Sequence, residues 1–166
     1  PYEMYDADEA FVTGTPFCIL PVCRLNNLNI GDKVMCRGGS AWAEYAVANS
    51  KRIVKFDNDK ISWEQGASIQ SSLQTMHDAI VTNGKFVKGQ TVFIQGATSG
   101  VGLIGIQIAK SLGASRVLGS STNKIKLNKL KEYGANVLID ISSDNWLDDV
   151  LKATSGEGVD ILIDML

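Results

Sequence analysis

The sequence holds a single histidine, His77, and only three cysteines and three prolines in 166 residues. Each scarcity excludes something. Cys18, Cys23 and Cys36 form no C-x-x-C pair, and their odd number argues against a full disulfide framework and for a reducing compartment. Cys18 and Cys23 are of a type that ligates zinc, but the one histidine lies far from them in sequence, so no metal site is expected. Charge of neither sign dominates: 16 basic against 18 acidic residues leave a net −2, no electrostatic footprint for nucleic acid or an anionic membrane. No run of about 18 apolar residues occurs, so no transmembrane helix is expected. No signal peptide is visible, and the cytoplasm is the default compartment. The chain begins at Pro1 without a methionine, which leaves room for an upstream segment. What is present is ordinary globular composition, 45% hydrophobic and 20% charged, with length for one core or two small ones.

The most informative stretch is residues 90 to 112. Thr91 to Gln95 is a short β-branched and aromatic run bounded by turn formers, the pattern of a buried strand. Beyond it, Val101, Ile104, Ile108, Ala109 and Leu112 recur at helical spacing and predict one buried helix face. Between them, Gly100-Val101-Gly102-Leu103-Ile104-Gly105 matches G-x-G-x-x-G, in the strand-then-helix context that motif requires. On this pattern Gly100 serves the tight turn, Gly102 lets backbone approach a pyrophosphate, and Gly105 lets the helix pack against the strand. The amides and positive dipole end of the helix then face the phosphates.

Around that stretch the chain changes character. Residues 1 to 30 are the least legible: Asp6, Asp8 and Glu9 read as a surface loop, and Phe17 to Pro21 as an edge segment. Residues 31 to 56 read as all-β, a meander of Lys33–Arg37, Trp42–Val47 and Ile53–Phe56, with Val34 and Cys36 on one face. Ser62-Trp63-Glu64-Gln65 fits a capping box opening a helix that carries Ile69, Leu73, Met76 and Ile80 inward. Gly66 and the Ser71-Ser72 pair weaken its middle, which leaves one helix or two, and Asn83-Gly84 ends it. A domain boundary is placed near residue 60, giving 1–60 and 61–166. From Gln90 on, strand and helix alternate: strands at Thr91–Gln95, Arg116–Gly119, Asn136–Asp140 and Val159–Asp164. Helices lie at Val101–Leu112, at Asn123–Tyr133 with Leu127 and Leu130 inward, and at a third segment. Ser143 or Asp144 caps that third helix, and Leu147, Val150 and Leu151 face inward. Such alternation predicts an α/β fold with a parallel sheet, here of about four strands.

An NAD site places an acid about 20 residues past the glycines, where it accepts from the ribose hydroxyls. Twenty residues after Gly100 is Ser120, and Gly119-Ser120-Ser121-Thr122-Asn123-Lys124-Ile125-Lys126 contains no acid. Hydroxyls at Ser120 and Ser121 and ammonium groups at Lys124 and Lys126 suit a 2′-phosphate, which a carboxylate would repel. NADPH is therefore the expected cofactor.

Read in order, Gly31-Asp32-Lys33-Val34, Ala43-Glu44-Tyr45, Thr75, Gly89-Gln90-Thr91-Val92, Gly96-Ala97-Thr98-Ser99-Gly100-Val101-Gly102, Gly134-Ala135 and Gly158-Val159-Asp160 resemble the medium-chain dehydrogenase/reductase superfamily. The resemblance is specifically to its zinc-independent quinone oxidoreductase (zeta-crystallin-like) branch, over roughly residues 28 to 166. It implies part of a GroES-like β domain followed by part of a Rossmann domain, and a chain that is a fragment of an enzyme about twice as long, dimeric when intact. By position, Ala97, Gly100 and Gly102 match the branch's A-x-x-G-x-G turn, with Thr98, Ser99 and Val101 beside them. Thr75 matches a threonine near the nicotinamide, and Lys126 a lysine that meets the 2′-phosphate. His77 stands where an aromatic is usual and reads as a packed core histidine. Phe11 to Pro16 lacks the His and Glu of the zinc-dependent relatives, and residues 1 to 27 depart from the pattern, with Tyr5 only a faint match to the substrate-loop tyrosine. The implied activity is NADPH-dependent reduction of quinones or related conjugated carbonyls. No catalytic base is identifiable. Enoyl-thioester reduction and a non-catalytic NADPH-binding structural role are the alternatives.

Overall fold

The computed structural model describes residues 9–12, 19–21, 32–36, 46–57 and 59–165. The chain divides into two units, Pro1–Ser71 and Ser72–Leu166, and the division falls inside a helix.

The first unit is antiparallel. Strands β1 (Glu9–Val12) and β4 (Ala46–Asn49) pair with each other, while β2 (Ile19–Pro21), β3 (Lys33–Cys36) and β5 (Ile53–Lys55) form a second sheet in the order β2-β3-β5. The expected meander is therefore not formed. β3 takes β2 as well as β5 as its neighbours, and β4 leaves for β1, because β1 and β2 come from the N-terminal region, where sequence patterning marked only the Phe17–Pro21 edge segment. Glu9, expected in a loop, opens β1. Residues 42–45, expected in a strand, lie outside the described residues, as does Tyr5. Ile19–Pro21 is an edge strand, the setting in which a proline costs no ladder hydrogen bond. Val34 and Cys36 are both buried, as alternation along β3 requires.

Helix α1 (Trp63–His77) starts at the expected capping box. The Ser62 hydroxyl accepts from Gln65 N–H at 3.2 Å, and the Gln65 side-chain oxygen accepts from Ser62 N–H at 2.8 Å. The helix is continuous through Gly66, whose absent side chain makes room for the Phe56 ring: a Cβ there would lie 2.7 Å from it. It runs on as a π-helical turn, Asp78–Asn83. Met76 and Ile80, four residues apart, are its buried hydrophobic side chains. His77 lies one residue off that line and is exposed, so the expectation of a core histidine fails; Thr75 on the other side is exposed too, and Leu73 is 42% exposed.

The second unit is a four-stranded sheet in the order β8-β7-β6-β9, with β6 (Thr91–Ile94), β7 (Arg116–Ser121), β8 (Val137–Asp140) and β9 (Ile161–Ile163). Every pairing is parallel. This is the predicted α/β Rossmann-type architecture. The strands alternate sides. Val92, Ile94 and Val117 join Met76, Ile80, Ile106, Leu127 and Leu130 in one core. Phe93, Leu118 and Ile139 join Val150 in another on the opposite face.

Two helical expectations need correction. In α2 (Gly100–Ser111) the buried stripe is Gly102, Gly105, Ile106, Ile108 and Ala109, while Val101 and Ile104 are only partly buried and Leu112 is 37% exposed. The helix is apolar on several sides, so periodicity alone does not choose among them. The side carrying the smallest residues can approach the sheet most closely, and it is the one turned inward. In α4 (Trp146–Ala153) the N-cap is Asn145, with no side-chain bond, and neither Ser143 nor Asp144 serves. Only Val150 of the expected trio is buried; Leu147 and Leu151 are 55% and 38% exposed. Trp146, whose ring centroid is 6.4 Å from that of Phe93, takes the inward place four residues before Val150. Helix α3 (Lys124–Lys129) continues as a 3₁₀ turn, Leu130–Tyr133, and stops as expected at Gly134, in the left-handed conformation at φ 110°.

Candidate dinucleotide site at the carboxyl edge of the sheet

Strands β6, β7 and β8 step outward to one side, and β9 returns to the other side of β6. Chain direction across the sheet thus reverses between β6 and β9. In open parallel sheets that reversal leaves a crevice outside the carboxyl ends of the strands. The glycine-rich turn leaves β6 at that point.

Its parts divide the labour differently from the sequence expectation. The left-handed residue is Gly96, at φ 66°; Gly100 is not among the glycines with positive φ. A Cβ on Gly100 would meet nothing within 4 Å, whereas one on Gly102 would lie 2.7 Å from the Ala97 Cα and carbonyl oxygen. Gly102 is therefore required by packing of the helix start onto the turn, and Gly100 is the position that leaves backbone open to an approaching group. Gly105 serves as expected: its Cβ would come 3.0 Å from Ile94 and 3.1 Å from Met76. Ser99 is the N-cap of α2, its hydroxyl accepting from Gly102 N–H at 3.0 Å. Val101 is partly buried beside it.

The turn is tied to the end of β7. Ala97, fully buried, donates its N–H to the Ser120 carbonyl at 3.1 Å. The Thr98 and Ser121 hydroxyls are bonded at 3.2 Å, and Ser121 Oγ accepts from Asn123 N–H at 3.1 Å. Ser121 is thus a brace between two loops. Ser120 projects from the opposite face of the strand, buried, and its hydroxyl has no hydrogen-bond partner among the described residues. Lys124 and Lys126 lie in the first turn of α3, both exposed; the Asn123 side chain caps that helix by accepting from Lys126 N–H at 3.0 Å. Lys124 Nζ is 3.5 Å from Asp140 Oδ2, while Lys126 makes no ion pair among the described residues. Ala97 to Gly102, Ser120, Ser121, Lys124 and Lys126 gather at one edge. Thr75 is exposed in α1.

Sequence reasoning missed Asp140, at the end of β8. Its carboxylate accepts from the Ser142 hydroxyl and, at 3.0 Å, from Ser142 N–H. The Ser142 hydroxyl first, then that N–H and Lys124, hold its carboxyl below the usual carboxylate value. The signal was available: a strand ending in Asp, one strand over from the position where an acid was sought. Thr122 and Asn123, exposed at the tip of β7, were read only as part of the acid-free segment.

A parallel α/β sheet whose first strand runs through a glycine turn into a serine-capped helix defines a Rossmann-type domain. Residues 100–166 match the zinc-binding dehydrogenase family. Over 138 residues the chain is 30% identical to the quinone oxidoreductases of Pongo abelii and Homo sapiens, covering 82% of this chain and 41% of each of theirs. It is 30% identical over 145 residues to the highly reducing polyketide synthase lcsB of Purpureocillium lilacinum, covering 86% of this chain and 6% of that protein. Among solved structures, the CurK enoyl reductase superposes with a TM-score of 0.83 at 18% identity, over 96% of this chain and 59% of that one. Escherichia coli quinone oxidoreductase complexed with NADPH gives 0.75 at 19% identity, over 92% and 56%. The chain is thus similar to the quinone oxidoreductases of the medium-chain dehydrogenase/reductase superfamily, and it spans about two fifths of the length of those curated relatives.

Residues 100–166 contain no histidine or cysteine, and among the described residues no three His, Cys, Asp or Glu are grouped to hold a metal ion. A dinucleotide fits. The side of Gly100 where a Cβ would stand is open, beside first-turn amides that have no partner within the helix.

Proposed function

We propose that this chain is the nucleotide-binding part of a zinc-independent reductase that uses NADPH to reduce quinones or related conjugated carbonyl compounds. The observation that carries this reading is the open face of Gly100 at the start of α2, at the carboxyl edge where the sheet reverses, next to a β7 end that bears no acid. NADPH, when bound, supplies the hydride. The chain's own residues bind and orient it. The α2 amides meet the pyrophosphate, with Ser99 holding the turn in shape; the Thr98–Ser121 brace fixes the loop against β7; Lys126 meets the 2′-phosphate. Thr75 is assigned to the nicotinamide end. Ser120, sealed on the far face, serves through its carbonyl, which holds Ala97. A quinone reduced by hydride takes its proton from water, so the reading needs no proton-donating side chain.

A second reading, reduction of enoyl thioesters, is favoured by the similarity to a highly reducing polyketide synthase.

The deciding experiment is a pair of fluorescence titrations, NADPH and NADH, on the wild-type chain and on Lys126→Ala. NADPH should bind at least about tenfold tighter, roughly 1.4 kcal/mol, and the substitution should erode that gap. Equal affinity would overturn the 2′-phosphate assignment. In the intact enzyme, turnover of 9,10-phenanthrenequinone against an N-acetylcysteamine enoyl thioester separates the two substrates, and tight binding by the intact enzyme without either turnover would assign a structural role instead.

A further inference from the structure

The acid missing from the end of β7 is present on the neighbouring strand. β7 and β8 run parallel and pair Ser121 with Asp140, so both side chains leave the sheet on the same face. Ile141 N–H donates to the Ser121 carbonyl at 3.3 Å and keeps the two strand ends together. The Asp140 carboxylate is held in place by the Ser142 hydroxyl and N–H and is ionised at neutral pH. A fixed negative charge one strand away from the ribose end opposes a 2′-phosphate. Lys124 Nζ, 3.5 Å from Asp140 Oδ2 on a side chain 79% exposed, offsets that charge. Lys126, two residues on, is left without such a partner among the described residues.

We propose that Asp140 and Lys124 act as a pair that sets discrimination between NADPH and NADH, Lys124 working on the 2′-phosphate only by neutralising Asp140 while Lys126 meets the phosphate itself. Lys124 is then a screening residue rather than a ligand contact. The inference rests on the dinucleotide reading above and deepens it.

The test is a double-mutant cycle on the full chain, with NADPH and NADH affinities measured for wild type, Lys124→Ala, Asp140→Asn and the double variant. Lys124→Ala should weaken NADPH about three- to fivefold and leave NADH unchanged, the range open to a screened surface charge. Asp140→Asn should tighten NADPH selectively. In the Asp140→Asn background, Lys124→Ala should change nothing. An equal loss in both backgrounds would mean that Lys124 touches the phosphate directly, and an unchanged NADPH-to-NADH ratio in both single variants would reduce the pair to a structural one; either overturns the inference. If wild type binds both nucleotides equally, the NADPH reading falls, yet a preference created by Asp140→Asn still supports the pair. Absence of binding in every form overturns both. Asp140 also braces the turn at Ser142, so a measurement on the wild-type chain stands beside the variants. Saturating NADPH should protect Lys126 from acetic anhydride and leave Lys124 reactive; equal protection of the two lysines refutes the screening role.

Discussion

Gly102 lies directly against Ala97: a Cβ on Gly102 would come within 2.7 Å of the Ala97 Cα and carbonyl oxygen. The obstacle is backbone, not the end of a flexible side chain, so neither partner can give way cheaply. Gly102→Ala should therefore destabilise the second unit by about 1–3 kcal/mol, the cost of overpacking. Loss of nucleotide binding should follow from displacement of the α2 start. Urea denaturation of the variant checks the first point; an unchanged midpoint would refute the packing role.

Gly100 sets the opposite expectation. A methyl group there meets nothing within 4 Å. Gly100→Ala should leave the melting temperature unchanged or slightly raised, since alanine reduces the freedom of the unfolded chain by about 0.4–1 kcal/mol. It should weaken NADPH and NADH alike, at least about tenfold, because the pyrophosphate common to both is what approaches. A fall in melting temperature, or a loss confined to NADPH, would contradict that assignment.

These two glycines also mark how far the sequence could be read. The motif located the turn, its strand and its helix, because a β-branched run followed by glycines and an amphipathic segment has few structural solutions. It could not say which glycine faces space and which faces Ala97, since that depends on where the β6–α2 loop folds back. The same limit explains α4: Trp146 and Leu147 are adjacent apolar residues, and only packing against Phe93 selects the first. Asp140 stayed hidden because the acid was sought on β7, while the register that sets it beside Ser121 is a property of the sheet. In the first unit, β3 and β5 were legible from alternation. The pairing of β4 with β1 was not, because the sequence around β1 carries no strand signal of its own.

The capping box at α1 yields a third expectation. Ser62 and Gln65 satisfy each other's backbone N–H groups at 3.2 and 2.8 Å. Ser62→Ala removes one of those bonds and should cost about 1 kcal/mol. Ser62→Asn, which restores an acceptor at the same place without setting a second carboxylate beside Glu64, to which the Ser62 hydroxyl donates at 2.7 Å, should recover most of it. Thermal melts of the two variants check this; equal melting points for alanine and asparagine would show that the cap carries no stability here.

Thr154 gives the last. It sits just past the end of α4, 5% exposed, where its hydroxyl donates to the Val150 carbonyl at 2.9 Å and accepts from Gly158 N–H at 3.0 Å. That single oxygen ties the end of α4 to the loop that leads into β9, a loop in which Gly156 and Gly158 both adopt positive φ. Thr154→Val keeps the shape and removes the oxygen, leaving a partly buried N–H without its acceptor, at a cost of about 1–3 kcal/mol. Thr154→Ser keeps the oxygen and should lose less. Because β9 borders the point where the sheet reverses, the loop's anchoring reaches the site only through the position of that strand. Thr154→Val should therefore lower the urea midpoint and speed hydrogen exchange at the Gly158 amide while changing nucleotide affinity less than twofold. Unaltered exchange at Gly158 would show that the threonine does not hold the loop.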